Sequence, residues 1–143
     1  MRKLTEKEIR DFINEWTWCT LVGVNEGLPY AVEVTYATDG EYIYAGSRPG
    51  GVMFNSFKKN NNIMIKICDA DKAYPTWRAA SIKGKVEYLT EREEVFKVMR
   101  MVAKVRNLKE DHFYRVAEYI LKYPGGSSLF KVKLDNLSGV ASH

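Results

Sequence analysis

From Thr20 onward the chain is written as hairpins. β-branched and aromatic runs at 21–24, 30–36 and 41–45 are separated by Asn25-Glu26-Gly27 and Thr38-Asp39-Gly40. Runs of this kind prefer a pleated sheet, and Gly-containing breaks supply the tight turns that pair neighbours antiparallel. Further runs at 63–68, 77–88 and 129–134 raise the expected count to six strands, with Gly84 marking a bulge or bend in the fifth. Short antiparallel strands expose edges unless the sheet curls, so the expectation is a mainly β chain with flanking helices, built as a closed or half-closed six-stranded barrel.

The helices are marked by caps and periodicity. Thr5 with Glu8 has capping-box spacing, Leu4 and Ile9 stand at staple positions, and Ile9, Phe12, Ile13 and Trp16 form one apolar face. Replacing Thr5 by Ala should cost about 1 kcal/mol through the lost cap. A short helix is expected at 52–57. A longer one should start near Thr90 with Glu93 completing its cap, and another carries Phe113, Val116, Ala117, Ile120 and Leu121 before Tyr123-Pro124-Gly125-Gly126 stops it. No repeat or linker interrupts the 143 residues, which suit one domain spanning 1–143.

Several classes of function are disfavoured. No apolar run approaches the ~20 residues of a membrane helix, and the Met1 end carries alternating charges rather than an apolar signal core, so a cytoplasmic protein without membrane contact is expected. The net charge of +4 comes from basic residues interleaved with acidic ones, which argues against a nucleic-acid partner. Cys19 and Cys68 are expected to be free, buried thiols. No Cys/His cluster, GxSxG elbow, GxGxxG or GxxxxGKS loop is present, and no protein metal site is expected.

The order of pieces resembles a known family. LTEKEIRDFINEWTWCTLVGVNEGLPYAVEVTYATDGEYIYAGS leads from a capped helix through paired hairpins, with Pro29-Tyr30 opening the second strand. A Gly loop then precedes Phe54, Phe57, Lys58, Lys59 and Asn60, TWRAASIKGKVEYLT follows, and SSLFKVKLDNLSGVAS closes the chain. Together these are similar to the pyridoxamine 5'-phosphate oxidase-like FMN-binding split barrels, in particular their nitroimidazole-resistance-type branch. The resemblance implies a homodimer with FMN at the subunit interface. It implies electron transfer from a reduced nicotinamide or another donor to a small-molecule acceptor. It also implies that the flavin edge meets Val32, Glu33, Val34 and Thr35, that the phosphate sits near Gly46, Ser47 and Arg48, and that Trp77, Arg78 and Ser81 approach the cofactor.

Two departures bear on the chemistry. Met53 stands where many relatives have Lys or Arg, leaving Arg48, Lys58 or Lys59 to meet a phosphate, and Gly46 stands where nitroimidazole-resistance members often place His. Read from the residues alone, the Gly-Ser-Arg-Pro-Gly-Gly loop combines backbone N–H groups that can approach an anion with a guanidinium that can grip two of its oxygens. Glu33 is a candidate proton-transfer group if it faces the cofactor and a solvated strand residue otherwise. The alternatives on the same fold are a flavin-binding protein without turnover and a barrel that takes the deazaflavin F420 or haem.

Overall fold

In the computed structural model, which describes residues 1–73 and 75–143, the chain is mainly β with helices on the outside. Strands β1 (Arg2–Lys3), β10 (Leu137–Ala141), β7 (Trp77–Lys85), β6 (Asn62–Ala70), β2 (Trp18–Asn25) and β3 (Leu28–Thr35) form one antiparallel sheet in that order. A second is ordered β4 (Ala37–Thr38), β5 (Tyr42–Gly46), β9 (Leu129–Lys133) and β8 (Glu87–Tyr88). The helices are α1 (Glu6–Glu15), α2 (Val52–Lys59), α3 (Arg92–Val105) and α4 (Tyr114–Lys122). The strands thus divide between sheets of six and four rather than forming one six-stranded closed barrel.

The sheets are joined by strands that turn a corner. Tyr36 is the single residue between β3 and β4, and Val86 the single residue between β7 and β8, so the expected run 30–36 ends, and the expected run 77–88 splits, where the chain passes from one sheet to the other. Gly84 acts by allowing close approach: a Cβ there would lie 2.8 Å from Val132 of β9, in the opposite sheet. The first hairpin closes on Glu26 and Gly27, both with positive φ, the geometry of a two-residue turn matched to strand twist. β1 and β10 lacked a sequence signal because β1 is two exposed charged residues and Leu137–Ala141 does not alternate in burial.

Between the sheets and α1 lies the main core, in which Phe12, Ile13, Leu21, Ile43, Ile65, Ile67, Ile82, Phe130 and Val132 are fully buried. A second cluster, with Val95, Val98, Met99, Ala117 and Ile120, seats α3 and α4 on Tyr44 and Leu129. Helix α3 is capped differently from the expectation, because Glu91 rather than Thr90 holds the N-cap and no side chain bonds there. The thiols also differ. Ile63, Ile65 and Ile67 face inward on β6, so Cys68 falls on the outward face and is exposed, whereas Cys19 is buried and its thiol is pushed up to about 12 by desolvation.

The capping box forms as expected, with the Glu8 backbone N–H donating to Thr5 Oγ1 at 3.2 Å and Thr5 N–H donating to Glu8 Oε1 at 3.0 Å. Arg2 adds a two-pronged ion pair to the same carboxylate, and this pair, with the Thr5 bond second, holds the Glu8 carboxyl at about 2, below the ordinary 4.5 of a free Glu. A carboxylate depressed on folding stabilises the native state above its unfolded pKa, and that contribution disappears as pH falls through the folded value. Acid titration of stability should therefore show a loss between about pH 4.5 and 2 that is smaller in Glu8→Gln, read by thermal melts across that window.

Candidate functional site

A cleft of about 760 Å³ opens beside the edge strand β3, within the usual range for small-molecule sites. Strand alternation presents Val32 and Val34 to it, with Tyr30 and Thr35, and the exposed Trp18 of β2 stands at its margin. β3 pairs only with β2, so among the described residues its outer backbone edge has no strand partner and remains open to a ligand. α3 and α4 form the facing wall through Val98, Met99, Val102, Phe113, Val116 and Ile120, with Arg106 at the end of α3.

At the floor, β5 leaves its sheet through Gly46, Ser47 and Arg48 and enters α2 at Gly51. Gly46 is required by packing, since a Cβ would lie 2.6 Å from Leu129. The loop folds on itself through Gly51 N–H donating to the Arg48 carbonyl at 3.0 Å, and Asn55 Nδ2 donates to the Gly50 carbonyl at 3.2 Å. α2 has no side-chain cap, so its first N–H groups and the positive end of its dipole border the cleft at Val52 and Met53. Ser47 Oγ is buried there without a hydrogen-bond partner. An unpaired buried hydroxyl is costly in a finished core and well placed for an acceptor that arrives with a ligand.

These features meet the requirements of a flavin. The hydroxyl of Ser47, the Arg48 guanidinium and the start of α2 suit a phosphate, and the valine-lined strand edge suits a flat apolar ring with polar edges. Met53 is buried and contributes a thioether to the wall, so the cations at this floor reduce to Arg48.

Other expected residues lie apart from this cleft within one chain. Glu33 is exposed on the opposite face of β3 from Val32 and Val34. Lys58 Nζ lies over the rings of Phe54 and Tyr88, at 5.1 and 4.8 Å from their centroids, and Lys59 is exposed at the end of α2. Arg78 is held by Glu15 and Asp69, each at 3.1 Å, and stacks 4.1 Å from the Phe12 ring centroid. Trp77 lines the same hollow as Arg78, and Ser81 accepts from Lys66 Nζ at 2.6 Å in another.

Sequence reasoning did not assign Trp18, Tyr30, Arg106 or the α3–α4 wall to the site. Val116 lies on the α4 stripe that spacing marks as core, and only the structure leaves it 44% exposed and Trp18 58% exposed, so no local sequence signal set these residues apart.

A test of the floor separates its two states. Ser47→Ala removes a hydroxyl that is unpaired in the empty site, so the variant without ligand should be as stable as the parent or up to about 1–3 kcal/mol more stable, while binding a phosphate-bearing flavin more weakly. Denaturant unfolding without ligand, beside a flavin titration, measures both signs. A fall in both would mean that Ser47 is bonded internally.

The sequence profile of the pyridoxamine 5'-phosphate oxidase family matches residues 5–140, and the chain belongs to that family. Among solved structures, it is similar to a candidate 5-nitroimidazole antibiotic resistance protein from Bacteroides thetaiotaomicron, at 22% identity and TM-score 0.76, covering 96% of this chain and 85% of that one. An FAD-binding protein from Mesorhizobium loti aligns at 18% identity and TM-score 0.68, covering 98% and 96% of the two chains. Another FAD-binding protein, from Mycobacterium smegmatis, aligns at 11% identity and TM-score 0.69, covering 99% and 98%. At these identities the structural likeness establishes the fold alone. A comparison with curated proteins finds none that matches. No helix among the described residues is long and apolar enough to cross a membrane.

Proposed function

We propose that residues 1–143 form one FMN-binding split-barrel domain, its two sheets being the halves of the barrel, and that it is a flavin-dependent oxidoreductase acting between a reduced nicotinamide or similar donor and a small acceptor. The observation that carries the reading is the unpaired Ser47 hydroxyl beside Arg48 and the uncapped start of α2. A bound flavin supplies hydride and single-electron transfer. The chain's own residues do the rest. Ser47 would donate to a phosphate oxygen, Arg48 would neutralise the phosphate, Val32 and Val34 would exclude water from the ring, and the free edge of β3 would offer it backbone bonds.

The reading includes a homodimer. Trp77, Arg78 and Ser81 lie away from the cleft of their own chain, so a second copy is what would bring them to a cofactor, as the family resemblance implies. The exposed Trp18, Val52 and Val116 at the cleft margin are apolar surface such an interface would cover. Binding of flavin without turnover is the second reading. NADH or NADPH added anaerobically to the flavin-loaded protein should bleach the visible flavin band, and added acceptor should restore it. A bound flavin that neither donor reduces would leave the binding protein as the function.

A further inference from the structure

A second guanidinium borders the cleft. Arg2, Arg10, Arg78, Arg92 and Arg100 each meet a carboxylate, whereas Arg106, like Arg48 and Arg115, enters no ion pair among the described residues. Its backbone is nevertheless firmly set. α3 ends with Asn107 in the left-handed region at φ 56°, Asn107 N–H donating to the Lys104 carbonyl at 3.1 Å and Leu108 N–H to the Ala103 carbonyl at 2.8 Å. This double bond pattern fixes the last turn of a helix, and Asn tolerates the required φ better than most side chains. Arg106, the residue just before it, places its guanidinium 5.7 Å from the centroid of the Phe113 ring, which begins the return into α4.

The surroundings specify what this cation would meet. Val102 and Phe113 are half-buried on the same wall, so a ligand body covering Arg106 would be apolar and would lie against the ring. Such a body displaces water from the guanidinium and strengthens its attraction for an anion. The fork geometry matches a carboxylate with two parallel bonds.

We propose that Arg106, supported by Phe113, anchors the carboxylate of a planar, apolar acid at the α3–α4 wall, and that this acid is the molecule that shares the cleft with the flavin. The second clause rests on the flavin reading above, while the first stands on Arg106 and its neighbours alone. In the flavin-dependent reaction the acid is the substrate class, and Arg106 is its specificity-determining residue.

The test is calorimetric titration of the purified protein with 2-naphthoate and with its neutral isostere 2-naphthamide, in the parent, Arg106→Gln and Arg106→Lys, beside an FMN titration of each. The parent should prefer naphthoate. Arg106→Gln should lose about ten- to a hundredfold in naphthoate affinity while keeping its naphthamide and FMN affinities, and Arg106→Lys should fall between. Equal binding of acid and amide by the parent, or no binding of the acid, overturns the proposal. So does an Arg106→Gln variant that loses FMN and not naphthoate, since Arg106 would then serve the cofactor. A parent that selects naphthoate through Arg106 but takes up no FMN keeps the acid site and refutes the flavin reading instead.

Discussion

Arg48→Ala is expected to weaken FMN binding about ten- to a hundredfold, equivalent to about 1.5–3 kcal/mol for one charge-assisted hydrogen-bonding group. The size follows from what is missing around it. Met53 occupies the neighbouring position with an apolar side chain, Lys58 is drawn over Phe54 and Tyr88, and Lys59 stands at the far end of α2, so among the described residues no second cation borders this floor to share a phosphate charge. Arg48 is exposed and bonds the loop only through its carbonyl, to Gly51, which the substitution retains. Stability without flavin should therefore stay near the parent value. Fluorescence titration with FMN measures the effect, and unchanged affinity would take Arg48 out of the site.

Phe130→Ala is expected to be the most damaging core substitution, at about 3–5 kcal/mol. Phe130 is fully buried as the second residue of β9, faces Phe57 at 5.9 Å and Tyr88 at 6.1 Å between ring centroids, and pairs with Ala45 in β5. Its removal leaves a cavity where α2, β8 and β9 meet, and the total stability of a domain is commonly only about 5–15 kcal/mol. Because Leu129 and the β5 exit adjoin the cleft, flavin affinity should fall with it. Equilibrium unfolding in urea gives the number, and a loss below 1 kcal/mol would show that the aromatic cluster repacks.

Local signals carried most of the fold into the sequence. The Thr5–Glu8 box and the Asn25-Glu26-Gly27 turn each depend on neighbours within a few residues, and each appears where the spacing placed it. What escaped depends on partners distant in the chain. β1 exists because Arg2 and Lys3 meet Ala141 and Val140, and the split of β7 from β8 at Val86 reflects a change of sheet that no local pattern announces. The same division applies to the cleft. Gly46, Ser47 and Arg48 are contiguous at the end of β5 and could be read together as a Gly-rich stretch with a cation, whereas Trp18, Arg106 and Phe113 come together only through the packing of α3 and α4 beside the hairpin. Glu33 shows the converse, since its inclusion followed from the strand it occupies while pleating turns it away from the cleft.

The account rests most directly on a flavin in this cleft, and the visible absorption spectrum of the freshly purified protein, with identification of any chromophore released on denaturation, tests it. The predicted result is a yellow protein that releases FMN, or one that turns yellow on addition of FMN and loses that capacity in Arg48→Ala. A colourless protein that takes up no added FMN, or a bound chromophore that is not a flavin, would contradict it.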